Sequence, residues 1–228
     1  MFTFGYWDAV WFHLGPIPVD HIVVTQWACV LFIALIAYFS TRNMTVVPKG
    51  LQNFFEGLIV WTYDFFTAMM DKEHVARKWA PLLSTFFIFI LVCNLSGIIP
   101  GAGHIEGFQP PTSNWNVTMT LALITFFAVI VAGVSEHKAA YLGHFISPHP
   151  IMLPLNIVEE VVRPVSLTIR LFGNIFGKEV VLGFLLFLAP FIVPATFLAL
   201  AILLSVIQAI VFTILSASYI AGAAGEGH

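Results

Sequence analysis

An arginine, Arg170, stands near the middle of a long apolar run that extends from Ile151 to Ala189. An arginine at such a depth in a membrane costs at least about 3 kcal/mol by insertion scales, unless water or a counter-charge reaches it. As one helix the run would be ~58 Å long, roughly twice the ~30 Å hydrocarbon thickness of a bilayer. We therefore expect this helix to tilt steeply or to break, and Pro164 offers a place for a kink.

A stripe of polar side chains accompanies Arg170 along this helix. Stepping about 100° per residue brings its members onto one face. They are Glu159, Arg163, Ser166, Arg170 and Asn174. Gly173 and Gly177 lie beside the stripe and would let a second helix approach closely, whereas Glu179 falls on the opposite face.

No acid in this run comes within contact distance of Arg170 on a regular helix. Glu159 lies about 16 Å before it and Glu179 about 14 Å after it along the helix axis. The other apolar runs contain no Asp or Glu. We therefore expect either that another polypeptide supplies the counter-charge or that water stabilises the guanidinium.

The composition is that of an integral membrane protein. Hydrophobic residues make up 59% of the 228 residues and charged residues only 9%, whereas soluble domains are about one-quarter charged. The length allows about five or six spans and no separate soluble domain. We predict an all-α membrane fold with five crossing helices and one amphipathic interfacial helix, in which the last two crossing helices are long and steeply tilted.

The apolar runs divide this single membrane domain, residues 1–228, into five parts. We predict an outer N-terminal segment at 1–20, a first span at 21–40, an interfacial helix at 50–70, a helical hairpin at 81–134 and a tilted hairpin at 151–220. The segment 50–70 places polar residues on one side and aromatic residues on the other, a pattern typical of a helix that lies on the membrane.

The distribution of basic residues predicts the orientation. Six of the nine Lys and Arg residues lie in the segments that follow the first and third spans. Because basic residues concentrate on the cytoplasmic side, we expect the N-terminus outside and the C-terminus in the cytoplasm.

Several motifs carry a resemblance to a known family. The stretch RPVSLTIRLFGNIFGKE, at Arg163 to Glu179, together with Gln208 resembles subunit a of the F-type ATP synthase, the stator half of an ion-driven rotary motor. Further matching motifs are NLSGIIPG at Asn94 to Gly101, PTSNWNVTMTLAL at Pro111 to Leu123 and PLNIVEE at Pro154 to Glu160. The resemblance covers roughly residues 80 to 222, and the RLFGN form indicates a bacterial protein of the inner membrane.

The resemblance implies that Arg170 is the stator charge. In the family, the resembling arginine faces a ring of c subunits, each with a carboxylate inside the membrane, and its charge favours ionisation of the passing carboxylate. That carboxylate would be the missing counter-charge, and the arginine would block leakage between two half-channels. The alternative is a structural arginine that bonds backbone carbonyls or extends toward the membrane surface.

The resemblance also implies roles for Glu179 and Gln208. Glu179 resembles the acid of the outer half-channel, with a group extending to the outer interface as the alternative. Some relatives pair this acid with a histidine, but Ala201 stands at that position, so the partner is absent or comes from elsewhere, with His104 and Glu106 as candidates. Gln208 resembles a glutamine that packs near the arginine, and a hydrogen bond between helices is the alternative.

The remaining polar residues of the stripe receive weaker interpretations. We expect Ser166 and Asn174 to line the passage or to orient the guanidinium. Glu159 and Arg163 suit a wet inner half-channel, although an ordinary i to i+4 ion pair is the simpler interpretation. The sequence assigns no role to Lys178.

The implied partners are the c-ring, the subunit b stalk, the remainder of the ATP synthase and the lipid bilayer, with no nucleic acid. We expect no catalytic residue, cofactor or metal, because no phosphate-binding or nucleophile motif occurs. We interpret Cys29 and Cys93 as small core residues without a disulfide pattern. His137, His144 and His149 show no metal-site spacing and are interpreted as solvated loop residues.

We therefore predict an ion-translocating subunit whose half-channels carry an ion, expected to be the proton, to and from the ring. The rival interpretation is an autonomous secondary transporter that binds an anionic substrate at Arg170. The small size, the lack of internal repeats and the lack of an in-chain acid count against it.

Overall fold

The computed structural model describes residues 10–14, 17–42, 44–70, 72–98, 109–137, 153–188 and 192–225. Helices account for nearly all of these residues, which confirms the all-α prediction. The helices are α1 (His21–Thr41), α2 (Leu51–Met69), α3 (Glu73–Ser96), α4 (Trp115–His137), α5 (Leu153–Leu188) and α6 (Ile192–Gly225). A 3-10 turn, Pro111–Ser113, precedes α4.

A short hairpin precedes α1 and was not predicted. Strands β1 (Val10–Leu14) and β2 (Ile17–Asp20) pair antiparallel, with Leu14 opposite Ile17. The Gly-Pro sequence at 15–16 favours a turn, but the sequence interpretation, which considered helices, did not use it. The hairpin occupies the second half of the predicted outer segment, whose first nine residues lie outside the described part.

Four of the described helices are long and apolar enough to cross a membrane: α1, α3, α4 and the part of α6 from Thr196 to Gly225. The chain is therefore a multi-pass membrane protein, and the fifth crossing, through α5, stays a prediction. Helix α5 has 36 residues and runs without a break through Pro164. We expected this long helix either to tilt or to break. The prediction of a break at Pro164 is therefore wrong. Its length of about 54 Å leaves a tilt as the prediction.

The bundle is built from α3, α4, α5 and α6, while α1 and α2 pack mainly on the α3 side. An apolar cluster of α3, α4, α5 and α6 fills its middle, with Phe86, Ile90, Leu167, Leu171 and Phe212 among its buried members. A second cluster lies where α3 begins and α6 ends, and includes the alanines at 217, 223 and 224. Small side chains on α6 let its neighbours pack closely.

Two ends of the bundle can be distinguished. Helices α1, α4 and α6 begin, and α3 and α5 end, at what we call the Glu179 end. At the opposite end, the Lys72 end, two side chains meet the last turn of α6: Lys72 Nζ donates to the carbonyl of Ala224 at 2.6 Å, and His137 Nε2 lies 3.1 Å from the same oxygen. Positive groups at a helix C-terminus satisfy its free carbonyls and complement its dipole.

The two cysteines meet across α1 and α3, a contact that the sequence did not indicate. Both are buried and free, as expected of small core residues. The Cys29 thiol lies within hydrogen-bonding reach of the Cys93 thiol and the Ser96 hydroxyl. His104, Glu106, His144 and His149, which entered the sequence interpretation, lie outside the described residues.

Candidate functional site

Polar side chains of α5 and α6 meet along one seam, which extends from Arg163 to Lys178 on α5 and from Ser205 to Tyr219 on α6. The seam consists of three contacts in antiparallel order: Lys178 Nζ donates to Ser205 Oγ at 2.9 Å, Asn174 Nδ2 donates to Gln208 Oε1 at 3.3 Å, and the Arg163 guanidinium lies 5.4 Å from the centre of the Tyr219 ring. The stripe predicted on α5 contains two of these residues, Arg163 and Asn174, whereas Lys178 was not part of it.

Arg170 is left out of this seam. Its level is occupied by Leu167, Leu171 and Phe212, all at most 2% exposed, and its own side chain is exposed. Among the described residues it has no hydrogen bond and no ion pair. Ile169 beside it is 54% exposed, so this face of α5 points away from the bundle. A cation on an apolar helix surface is costly unless a partner neutralises it.

The glycines beside Arg170 face open space. A Cβ built on Gly173 or on Gly177 would meet nothing within 4 Å. This surface of α5 is therefore free of side chains from the described part of the chain. The geometry leaves room for an outside helix to approach the backbone closely, as the sequence predicted.

A cavity of about 30 Å³ lies between α3, α5 and α6 at the Glu179 end. Its lining includes Asn94, Pro110, Lys178, Glu179, Leu198 and Ala201. Glu179 Oε1 is buried and has no hydrogen-bond partner among the described residues. A space of this size holds at least one water, which would satisfy that oxygen. The short Ala201 side chain helps to keep the space open.

Hydrogen bonds link this cavity to the loop before α4. Thr112 Oγ1 donates to Asn94 Oδ1 at 2.9 Å, and Asn94 Nδ2 lies 3.4 Å from the carbonyl oxygen of Ser205. Gly97 permits the close packing of this loop, because a Cβ there would lie 2.9 Å from Cγ of Pro110. Asn94 and Gly97 of the NLSG motif thus line the cavity, together with Pro110, which directly precedes the PTSN motif.

The structure places Lys178 at the Glu179 cavity, a position that the sequence did not indicate. Although Lys178 and Glu179 differ in direction on α5, both line the same cavity. The Lys178 ammonium donates to Ser205, whose hydroxyl in turn donates to the Ala201 carbonyl at 2.7 Å. The lysine is therefore held by a neutral hydroxyl beside the carboxyl group.

At the Lys72 end, charges are paired within the chain. Arg163 donates to Glu159 Oε1 at 2.8 Å and to Glu160 Oε1 at 2.7 Å. The i to i+4 ion pair expected from the sequence is thus present, together with a second pair at i−3. A cavity of only about 10 Å³ adjoins this pair, lined also by Thr125 and Tyr219.

The structure brings together Asn174 with Gln208, and Glu159 with Arg163. Ser166 is half-buried on the Arg170 side of α5. Within the described ranges, no group of three or more His, Cys, Asp or Glu side chains could hold a metal ion.

Comparison with known proteins gives one consistent match. The family model described as ATP synthase A chain matches residues 22–221. ATP synthase subunit a of Moorella thermoacetica is 39% identical over 211 residues, 92% of this chain and 93% of that protein. ATP synthase subunit a 2 of Bradyrhizobium sp. is 40% identical over 94% of this chain and 93% of its own length. ATP synthase subunit a 1 of Hahella chejuensis is 39% identical over 94% of this chain and 88% of its own length.

Proposed function

The chain belongs to the ATP synthase A chain family, and on that premise we propose that it forms two half-channels against a c-ring, so that proton flow drives rotation. It is a multi-pass membrane subunit of the ATP synthase and is not catalytic on its own. The proposal concerns how the subunit moves the ion.

The observation that carries the proposal is the isolation of Arg170. Its guanidinium lies on an exposed face of α5 without a counter-charge among the described residues, while Arg163, on the same helix, has two glutamates. A cation kept at such cost is a functional group by default. The partner that fits is a carboxylate of a neighbouring polypeptide inside the membrane, and a ring of such carboxylates supplies one for each step of rotation.

The separation of the two cavities supports a path in two halves. Arg163 and Glu179, which line them, are about 24 Å apart along α5. The apolar cluster around Leu171 and Phe212 lies between them. Between the Asn174–Gln208 pair and Arg163 this cluster interrupts the polar contacts of α5 with α6, so in this proposal an ion finds no continuous polar way through the bundle. It must transfer to the ring, travel past lipid and return at the other cavity.

In this proposal the Glu179 end faces outward and the Lys72 end faces the cytoplasm. The N-terminus is outside, α5 is the fifth crossing, α2 lies on the inner surface, and α5 and α6 are tilted along the ring. Subunit b holds the stator against the ring. Each proton that crosses 100 mV of membrane potential releases about 2.3 kcal/mol, so several must cross for each ATP.

Site-directed photocrosslinking tests whether the Arg170 face meets the ring. Ile169 is replaced by benzoylphenylalanine, and Phe127, 60% exposed on α4, carries the same probe in a matched variant. We expect the probe at Ile169 to capture the ring subunit in the assembled complex and the probe at Phe127 not to do so. A chain that purifies alone, with neither probe reaching a ring subunit, would contradict the proposal and favour an autonomous transporter.

A further inference from the structure

The loop between α1 and α2 carries two cations that bond no other side chain. Outside α5, the described part of the chain contains five Lys and Arg residues: Arg42, Lys49, Lys72, Arg77 and Lys78. The last three each bond a group of this chain, at 2.6, 2.7 and 3.2 Å respectively. Arg42 and Lys49 are exposed, and their side chains make no hydrogen bond or ion pair among the described residues. The two unpaired cations therefore belong to one loop.

The residues between these two cations are largely apolar. Val46 is fully exposed, and Met44 and Val47 are 70% and 67% exposed. The sequence contains no acid between Arg42 and Glu56. Neighbouring exposed apolar side chains that are bordered by charged ones mark an interaction surface.

Hydrogen bonds of Gln52, in the first turn of α2, hold this loop in one shape. The Gln52 Nε2 group donates to the Thr45 carbonyl at 3.1 Å, and its Oε1 accepts from the Thr45 N–H at 3.2 Å. The Thr45 hydroxyl donates to the Val47 carbonyl at 2.8 Å. Gly50 turns the chain into α2 with a φ of 60°, in the left-handed region that favours glycine. Because the loop is ordered before it meets a partner, burial of its valines costs less conformational entropy.

The loop lies where the chain leaves the bilayer. Helix α1 is long and apolar enough to cross a membrane, and it ends at Thr41, directly before Arg42. Phe54 in the first turn of α2 is exposed as well. Beside a span, apolar and aromatic side chains enter the boundary between headgroups and acyl chains, while Lys and Arg extend toward the phosphates. An anionic leaflet therefore complements both the charges and the apolar residues of this loop.

We propose that the loop formed by Arg42 and residues 44–50 is a binding surface for anionic phospholipid. Arg42 and Lys49 bind headgroup phosphates, and Val46 and Val47 enter the leaflet between them. The leaflet offers a phosphate to both cations and an apolar layer to both valines, so a single occupant matches the whole loop. The proposal requires only that the chain spans a membrane, and it is independent of the half-channel function.

The test is the depth of a fluorescent probe at position 46 in the whole complex. Dansylalanine replaces Val46, and the complex is reconstituted into phosphatidylcholine vesicles with or without phosphatidylglycerol. Each vesicle contains a trace of lipid with a nitroxide on its headgroup, which quenches an inserted probe. We expect quenching to be several-fold stronger with phosphatidylglycerol, and high salt to reverse the gain.

Substitutions of the cations test their contribution in the phosphatidylglycerol vesicles. We expect Arg42→Gln and Lys49→Gln each to lower the ratio of inserted to free loop by about fivefold, because each removes one attraction to the anionic surface. Arg77→Gln is the matched control, since it alters an exposed arginine that is already paired with Glu73. The control should leave the quenching unchanged.

Equal quenching in the two lipid mixtures overturns the proposal, and that measurement needs no change of charge. Equal quenching in the two loop variants and the control overturns it as well. A probe that is shielded from water in detergent and in both vesicles, without quenching by the nitroxide lipid, means that a protein subunit covers the loop, which contradicts a lipid surface. A probe that is exposed to water under all conditions contradicts it too.

Discussion

The two ends of α5 carry similar charged residues in opposite electrostatic situations. At the Lys72 end, Arg163 bonds two glutamates and lies over a tyrosine ring, beside a cavity of about 10 Å³. At the Glu179 end, among the described residues, Glu179 has an unsatisfied oxygen and Lys178 bonds only a hydroxyl, and the cavity is about 30 Å³. Among the described residues, α5 thus has ion-paired side chains at the Lys72 end and charged side chains without an ion pair at the Glu179 end.

The difference follows from sequence spacing. Glu159, Glu160 and Arg163 are three and four residues apart, so one helical turn brings them into contact whatever surrounds the helix. Glu179 and Arg170 have no opposite charge at those spacings, and Lys178, which adjoins Glu179 and lines the same cavity, donates to Ser205. A charge that is neutralised locally stabilises its helix, whereas an open charge beside a cavity can interact with a mobile proton.

Removal of the Glu179 carboxylate should have the largest effect on pumping and tests the difference between the two ends of α5 most strongly. Glu179→Gln keeps the shape of the side chain and deletes its charge. We expect ATP-driven pumping to fall at least about tenfold, because a proton-exchanging group is lost. The measurement is dye quenching in inverted vesicles at equal amounts of assembled complex. Glu56→Gln on α2 is the control, and equal pumping by the two variants would refute a role for Glu179.

Filling the cavity tests whether its open space matters apart from charge. Ala201→Leu adds apolar volume where water would stand, and we expect pumping to fall several-fold with the charges unchanged. Ala201→Ser keeps the volume small and should pump near the native rate. The same dye assay reports both variants. Native-like pumping by Ala201→Leu would show that protons do not use this cavity.

We expect the smallest effect on pumping at the Lys72 end, where the charged side chains form ion pairs. The Glu159 side chain is 64% exposed, and exposed ion pairs contribute only about 0–1 kcal/mol. Glu160 continues to pair with Arg163 when Glu159 is changed. We therefore expect Glu159→Gln to pump within about twofold of the native rate. A loss as large as that of Glu179→Gln would remove the distinction between the two ends.

Local features of this site were predictable from the sequence, and contacts between helices were not. Helical stepping placed Glu159 beside Arg163 and left Arg170 without an acid, because both statements concern a single helix. The contacts of Lys178 with Ser205 and of Asn94 with Thr112 join segments far apart in the chain, so they depend on packing. The resemblance supplied the family, but the Glu179 cavity required coordinates.

His21 shows the same limit more sharply. The sequence contains eight histidines. His21 stands at the start of an apolar run and has no neighbouring motif. Its burial and its contact with Gln109, 88 residues away, exist only in the folded chain. The hairpin before α1 was missed for a related reason: two short strands gave a weak pattern beside the long apolar runs.

The central claim is that the unpaired arginine, and not the paired one, is the stator charge. The most direct measurement is ATP-driven proton pumping by Arg170→Gln beside Arg163→Gln, on one helix and at matched assembly. We expect Arg170→Gln to abolish pumping while ATP hydrolysis by the detached head persists, and Arg163→Gln to lower pumping without abolishing it. Equal pumping by the two variants would contradict the account.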